Sequence, residues 1–102
     1  MDKKITDIAK KYKMNLESYG VPVEGVYLFG SFAKGTENKW SDIDLGIVSP
    51  MFGVDSISDR VFLMRIRDNE TKLVEPHPIS LKTFNDATDL LVRNIKKGIK
   101  IN

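Results

Sequence analysis

Two aspartates separated by one residue, Asp42 and Asp44, are the clearest candidates for chemistry in this sequence. Apolar Ile43, Leu45 and Ile47 alternate with them, a pattern that predicts a strand over residues 42–48. Because alternate strand residues share a face, the two carboxylates should project together, about 7 Å apart along the chain. Their repulsion would be relieved by a divalent cation that prefers oxygen ligands, with Mg²⁺ as the leading candidate. A solvated strand face is the ordinary alternative for such a pair.

Gly30 and Ser31 are the candidates for binding phosphate, which commonly completes the coordination of protein-bound Mg²⁺. Glycine at a strand end lets the backbone approach a ligand, and Ser31 opens a helical turn whose free N–H groups can face an anion. The short loop to Asp42 can bring this turn beside the carboxylate strand. Lys34 and Lys39 are further candidates for phosphate contact. A helix N-cap role for Ser31 and solvated lysines are the ordinary alternatives.

Glu75 is the candidate third carboxylate, at the end of the next predicted strand. Pro76 forces Glu75 into extended geometry, which suits a ligand held out from a strand end. Chemistry with two metal ions needs such a ligand, because one ion neutralises a triphosphate while the other activates the attacking hydroxyl. An ordinary surface glutamate is the alternative. His77, between Pro76 and Pro78, is interpreted as a surface or edge residue.

The elements that must position these residues follow from the spacing of apolar residues and turn formers. The pattern predicts a helix with a stripe from Ile5 to Tyr19, strands over 23–29, 42–48 and 71–76, a turn over 30–35, a helix over 55–68, and a last helix opened by a Thr83–Asp86 capping box and ending near Gly98. The predicted fold is α+β in two layers, with a mixed sheet of three to four strands and helices packed on one face. A single domain over residues 1–102 is expected.

Composition restricts the classes of function. A chain of 102 residues that is 41% hydrophobic and 29% charged is typical of one small globular domain, without room for an enclosed acceptor pocket. The net charge of +2 does not favour nucleic acid as a partner. The absence of cysteine excludes disulfides, zinc–thiolate sites and cysteine nucleophiles, and fits a cytoplasmic location. Apolar runs are too short for a membrane-spanning helix, so no membrane association is expected.

The pattern Gly30-Ser31, ten residues, then Asp42-Ile43-Asp44 resembles the signature of DNA polymerase β-type nucleotidyltransferases. More narrowly, the chain resembles minimal nucleotidyltransferase domains along nearly its whole length. The resemblance implies metal-dependent transfer of a nucleoside monophosphate from a nucleoside triphosphate, with pyrophosphate leaving. By position, Gly30 and Ser31 would bind the triphosphate, Asp42 and Asp44 the metal, and Glu75 would be the third carboxylate.

The chain departs from the common family pattern at two positions. Phe32 stands where many relatives have arginine after the Gly-Ser pair, although Lys34 follows two positions later. Glu75 stands where the third carboxylate is often aspartate, so the carboxylate reaches one methylene further. Both departures leave open whether the domain turns over its nucleotide.

Two classes of function therefore stay open. The leading hypothesis is an enzyme that transfers AMP from ATP to a hydroxyl acceptor. Minimal nucleotidyltransferases often pair with small helical HEPN-domain proteins as antitoxins, and some modify a tyrosine of the toxin, so the resemblance implies such a partner. The alternative is a nucleotide-binding module that neutralises or regulates a partner by complex formation. An exposed sheet face or apolar helix stripe also leaves formation of a homo-oligomer open.

Overall fold

Helices and strands alternate along the chain in a computed structural model that describes residues 3–38 and 41–101. In chain order, the elements are α1 (Lys3–Ser18), β1 (Gly25–Phe29), α2 (Ser31–Lys34), β2 (Ile43–Val48), α3 (Ser56–Arg65), β3 (Val74–Ile79), α4 (Leu81–Phe84), α5 (Leu90–Lys96) and β4 (Ile99–Ile101). Among the described residues, no helix has both the length and the apolar character needed to cross a bilayer.

The four strands form one sheet in the order β3-β2-β1-β4. β1 pairs antiparallel with β2 and with β4, whereas β2 and β3 run parallel. The predicted α+β class and mixed sheet are therefore confirmed. The three-residue β4 follows Gly98 directly, where the sequence predicted only the end of the last helix.

The edge strand β3 contains two prolines, and it both begins and ends three residues later than the predicted strand over 71–76. Ile43 N–H donates to the carbonyl of Leu73, and Ser49 N–H donates to the carbonyl of Ile79. The odd-numbered residues of β3 thus point their backbone groups toward β2, and the even-numbered Pro76 and Pro78 face the open edge. Neither proline removes a ladder hydrogen bond, so the strand continues through both.

Helices cover both faces of the sheet, whereas the sequence predicted them on one. On the first face, α1 and α3 pack against the apolar side of β2, with Tyr12, Leu45 and Leu63 fully buried. On the second face, α5 covers Gly46, where an added Cβ would meet the Ile95 side chain. Because α5 covers only part of this second face, the remainder is open beside Asp44.

The last predicted helix is divided into α4 and α5. Ser80 caps α4 by accepting from the N–H of Thr83, and Asp89 caps α5 by accepting from Val92 N–H. Thr83 therefore lies inside α4 and is not the predicted N-cap. Asp86 accepts bonds from both the N–H and the hydroxyl of Thr88, and this local turn interrupts the helix.

Candidate functional site

The parallel register of β2 and β3 brings three metal-ligating side chains together on the open part of the second face. Asp44 pairs with Glu75, and Gly46 pairs with His77. Since alternate residues share a face, Glu75 and His77 both lie beside Asp44. One donor atom from each of the three half-buried residues lies within 4.8 Å of the others. Two residues predicted from the sequence, Asp44 and Glu75, are thus neighbours in the fold.

The turn at Gly30 packs directly against Asp44. Gly30 has φ +75°, which side chains disfavour, and a Cβ there would collide with Oδ2 of Asp44. Phe29, the last residue of β1, pairs with Asp44 across the antiparallel ladder, so the turn starts where the carboxylate lies. The Gly-Ser turn and the carboxylate strand therefore lie side by side, as the sequence predicts.

Ser31 and Lys34 begin and end the short α2. The N-cap of this helix is Gly30, without a side-chain capping bond, so the N-cap interpretation of Ser31 is not borne out. A cavity of about 400 Å³ adjoins the turn, and its lining includes Gly30, Lys34 and Lys97. The two lysines make this cavity suitable for an anionic group. Lys39, the other candidate, lies outside the described residues.

Asp42 is not one of the three residues of this cluster. It is exposed and precedes the first residue of β2, so the strand begins one residue later than predicted. The pairing of β2 with β3 begins at Ile43, whose N–H donates to the carbonyl of Leu73, so Asp42 lies just before the paired part of the strand. The pairing of Asp42 with Asp44 at a metal stays a prediction.

An arginine that the sequence did not single out contacts the third carboxylate. Arg60 of α3 reaches past the edge strand, and its Nη2 lies 2.7 Å from Oε1 of Glu75. Both side chains are partly exposed, so this pair contributes little to stability. The pair matters instead for the electrostatics of the site, because the Arg60 guanidinium places a positive charge beside the cluster. The two residues are 15 positions apart on different elements, and no local motif links them.

His77 lies on the edge strand β3, which agrees with its interpretation as a surface or edge residue, but its imidazole is not freely exposed. Its side chain is only 17% exposed, and Nε2 lies 3.2 Å from Oδ1 of Asp44. The imidazole also meets the ring of Phe29 edge-on at 5.0 Å between centroids. The alternation of β3 was the available signal, since His77 follows two residues after Glu75 and must share its face.

The cluster suits a divalent cation by its donor chemistry. Carboxylate oxygens bind Mg²⁺, Ca²⁺ and Mn²⁺, and a neutral imidazole nitrogen binds first-row transition ions. Asp44, Glu75 and His77 offer two such oxygens and one nitrogen within a small radius. The absence of a side chain at Gly30 keeps the approach to Asp44 open.

A groove with apolar and basic walls lies next to His77, between α3, the edge of β3 and α5. This α3–β3 groove has a volume of about 730 Å³. Its apolar lining consists of Ile57, Val61, Met64, Pro78 and Leu91. Arg60, Arg65 and Arg67 are its charged lining residues. α3 thus has two apolar sides: Leu63 faces the core, followed after the helix end by the buried Ile66, and the groove side faces outward.

The chain belongs to the family of nucleotidyltransferase domains, whose family model matches residues 7–102. This match spans the Gly-Ser turn, both aspartates and the edge strand with Glu75. The membership predicted from the sequence motif is therefore confirmed.

The comparisons with individual proteins agree with this family. A Methanocaldococcus jannaschii protein, provisionally named a protein adenylyltransferase, is 34% identical over 94 residues, covering 83% of this chain and 61% of its own length. The chain thus spans about three fifths of that relative. A provisionally assigned nucleotidyltransferase from Sulfolobus solfataricus has a TM-score of 0.64 at 21% identity, over 94% of this chain and 78% of the other. A chain of a mutant toxin–antitoxin complex MntA–HpeT has a TM-score of 0.63 at 20% identity, over 92% and 72%. At these identities, the two solved structures show the shared fold.

Proposed function

We propose that this domain transfers AMP from ATP to a hydroxyl group of an acceptor. The observation that carries the proposal is the packing of the Gly30 turn against Asp44, with Glu75 in the same cluster. That contact brings a candidate phosphate-binding turn beside two carboxylates that can hold a divalent cation. Family membership supports nucleotidyl transfer as the reaction class.

Each residue has a defined part in the proposed reaction. Gly30, Ser31 and Lys34 would bind the triphosphate. Asp42, Asp44 and Glu75 would together hold two Mg²⁺ ions during the reaction. When bound, Mg²⁺ stabilises negative charge on the attacking and leaving oxygens. The acceptor oxygen bonds to the α-phosphorus as the bond to the β-phosphate oxygen breaks. Pyrophosphate leaves with that electron pair, and the hydroxyl proton passes to solvent.

We propose a tyrosine of a small helical HEPN-type protein as the acceptor. The α3–β3 groove supports a protein acceptor, because it is apolar, open and adjacent to His77. Of the residues that the structure describes, three arginines and no carboxylates line it, so it suits a helix with an apolar face flanked by acidic residues. Two of the similar proteins carry names of this kind, a protein adenylyltransferase and a toxin–antitoxin complex.

Incubation with α-labelled ATP, Mg²⁺ and the helical partner tests the proposal. We expect the partner to become labelled and to release the label as AMP on hydrolysis. Mass spectrometry should locate the modification at a tyrosine. Asp44→Asn should abolish labelling because it removes a charged ligand of the cluster. Asp7→Asn is the matched control, since Asp7 is exposed on α1, which packs on the opposite face of the sheet. Equal labelling by the Asp44 variant would contradict the assignment.

The Arg60–Glu75 pair favours a second candidate function, a nucleotide-binding module that regulates a partner by complex formation. The guanidinium already neutralises part of the charge of Glu75, so a second metal ion would be held less tightly. Under this alternative, the partner binds tightly and carries no label after incubation. Arg60→Gln distinguishes the two functions when the partner is present at saturating concentration, because Arg60 also lines the groove: release of Glu75 should then raise labelling by the enzyme and leave a pure binder unlabelled.

A further inference from the structure

The chain contains one histidine, and the fold places it against the candidate metal ligands. His77 lies on the same face of β3 as Glu75, and its Nε2 is 3.2 Å from Oδ1 of Asp44. The donor atoms of all three residues lie within 4.8 Å of one another. Two donors of one metal are separated by at most about 4.2 Å when each bond is near 2.1 Å. Small side-chain adjustments therefore bring all three donors to a common ion.

The imidazole is held in this position by its surroundings. Pro76 and Pro78 restrict φ on either side of His77, so the local backbone is stiff. The ring packs edge-on against Phe29, which limits its rotation. Gly46, the register partner of His77, adds no side chain that would separate the ring from Asp44. His77 is thus oriented in advance toward the carboxylates.

The neighbouring arginine leaves room for a cation. Arg60 contacts Oε1 of Glu75, and a carboxylate has two oxygens with several acceptor positions. Glu75 can therefore bind a metal and keep Arg60. Within the described part of the chain, the polar contact of His77 is to Asp44 and its ring packs on Phe29, so no basic side chain competes for it there.

We propose that Nε2 of His77 coordinates the divalent cation bound by Asp44 and Glu75. The resulting mixed nitrogen and oxygen site binds Mn²⁺ in preference to Mg²⁺. The reason is ligand chemistry: imidazole suits first-row transition ions, whereas Mg²⁺ selects oxygen ligands and water. The inference rests on the proposed function, because it takes Asp44 and Glu75 as ligands of the catalytic cation.

Electron spin echo envelope modulation of bound Mn²⁺ tests this coordination directly. The untagged protein would be loaded with Mn²⁺ and inorganic triphosphate, which contains no nitrogen. Because His77 is the sole histidine, a strong ¹⁴N coupling typical of coordinated imidazole can arise only there. We expect this coupling in the wild type and its loss in His77→Gln. The wild-type spectrum decides the matter even where the variant fails to fold.

Titration calorimetry gives a second readout with the same probes. His77→Gln should weaken Mn²⁺ binding by about tenfold or more, in line with losses at metal sites, and should change Mg²⁺ binding much less. Glu17→Gln, which removes an exposed charge on α1, is the control, and it should change the affinity for neither Mn²⁺ nor Mg²⁺. Equal weakening for both ions would overturn the proposed preference.

The possible spectra separate this inference from the proposed function. Bound Mn²⁺ with only weak, distant ¹⁴N coupling would overturn coordination by His77, and would leave Asp44 and Glu75 as ligands. The histidine would then act as a hydrogen-bond partner of Asp44. No binding of Mn²⁺ in the presence of triphosphate would overturn both the coordination and the metal-dependent reaction.

Discussion

Replacement of Gly30 by alanine should abolish binding of Mg²⁺ and ATP while the fold survives. Two effects follow from the structure. The backbone at Gly30 has φ +75° and ψ −152°, a region that only glycine occupies readily, so alanine costs about 1–3 kcal/mol there. In addition, the new methyl group would collide with Oδ2 of Asp44 and displace that carboxylate from the cluster.

Gly35→Ala separates these two effects. Gly35 also has positive φ, +73°, but a Cβ there meets no atom within 4 Å. Alanine at this left-handed position costs about 1–2 kcal/mol, which lowers the melting temperature by about 4–8 °C for each kcal/mol in a domain of this size. The control therefore loses stability without disturbing Asp44.

Calorimetric titration with ATP and Mg²⁺, together with thermal unfolding by circular dichroism, measures both consequences. We expect both variants to unfold at lower temperature, with Gly30→Ala affected at least as much. Only Gly30→Ala should lose binding at a temperature where both are folded. Wild-type affinity in Gly30→Ala, or an equal loss in Gly35→Ala, would refute the claim that the turn and Asp44 form one site.

Three further predictions concern the core, the groove and the pH dependence. Tyr12→Phe removes a buried hydroxyl that donates to a backbone carbonyl of α3 at 2.7 Å, and should cost about 1 kcal/mol in urea unfolding; Tyr19→Phe, 64% exposed, should cost nothing measurable. Ile57→Asp should lower labelling of the partner by about tenfold or more at unchanged ATP affinity, and Ile57→Leu should not. Bonds from the backbone N–H and then the hydroxyl of Ser58 lower the pKa of Asp55. The stability from that carboxylate is present above its unfolded pKa and is lost as pH falls through the lower folded pKa, so the difference between wild type and Asp55→Ala should shrink as pH falls below the ordinary aspartate pKa of about 4. A difference that stays constant over that range would contradict this linkage.

Local patterns predicted much of the site because its main parts are short-range. The alternation around Asp44 indicated a strand with one apolar face, and β2 has that form. A glycine at the end of β1 indicated close backbone approach, and Gly30 does lie against Asp44. Family membership followed from the spacing of these same residues.

The remaining features depend on tertiary register, which spacing alone does not determine. His77 joins the cluster only because β3 pairs parallel with β2 and continues through Pro76 and Pro78. Arg60 reaches Glu75 from a helix on the other face, a contact without a local signature. The last helix is divided because Ser80 and Asp89 each cap a separate helix and a turn at Asp86 lies between them. The sequence predicted a single helix with a single cap.

Diffraction from crystals grown with Mn²⁺ and a non-hydrolysable ATP analogue would test the central claim most directly. The anomalous signal locates the ion independently of the protein atoms. We predict an Mn²⁺ peak at bonding distance from carboxylate oxygens of Asp44 and Glu75, with the triphosphate against Gly30 and Ser31. An ion and nucleotide bound elsewhere on the molecule, with these carboxylates uninvolved, would contradict the account.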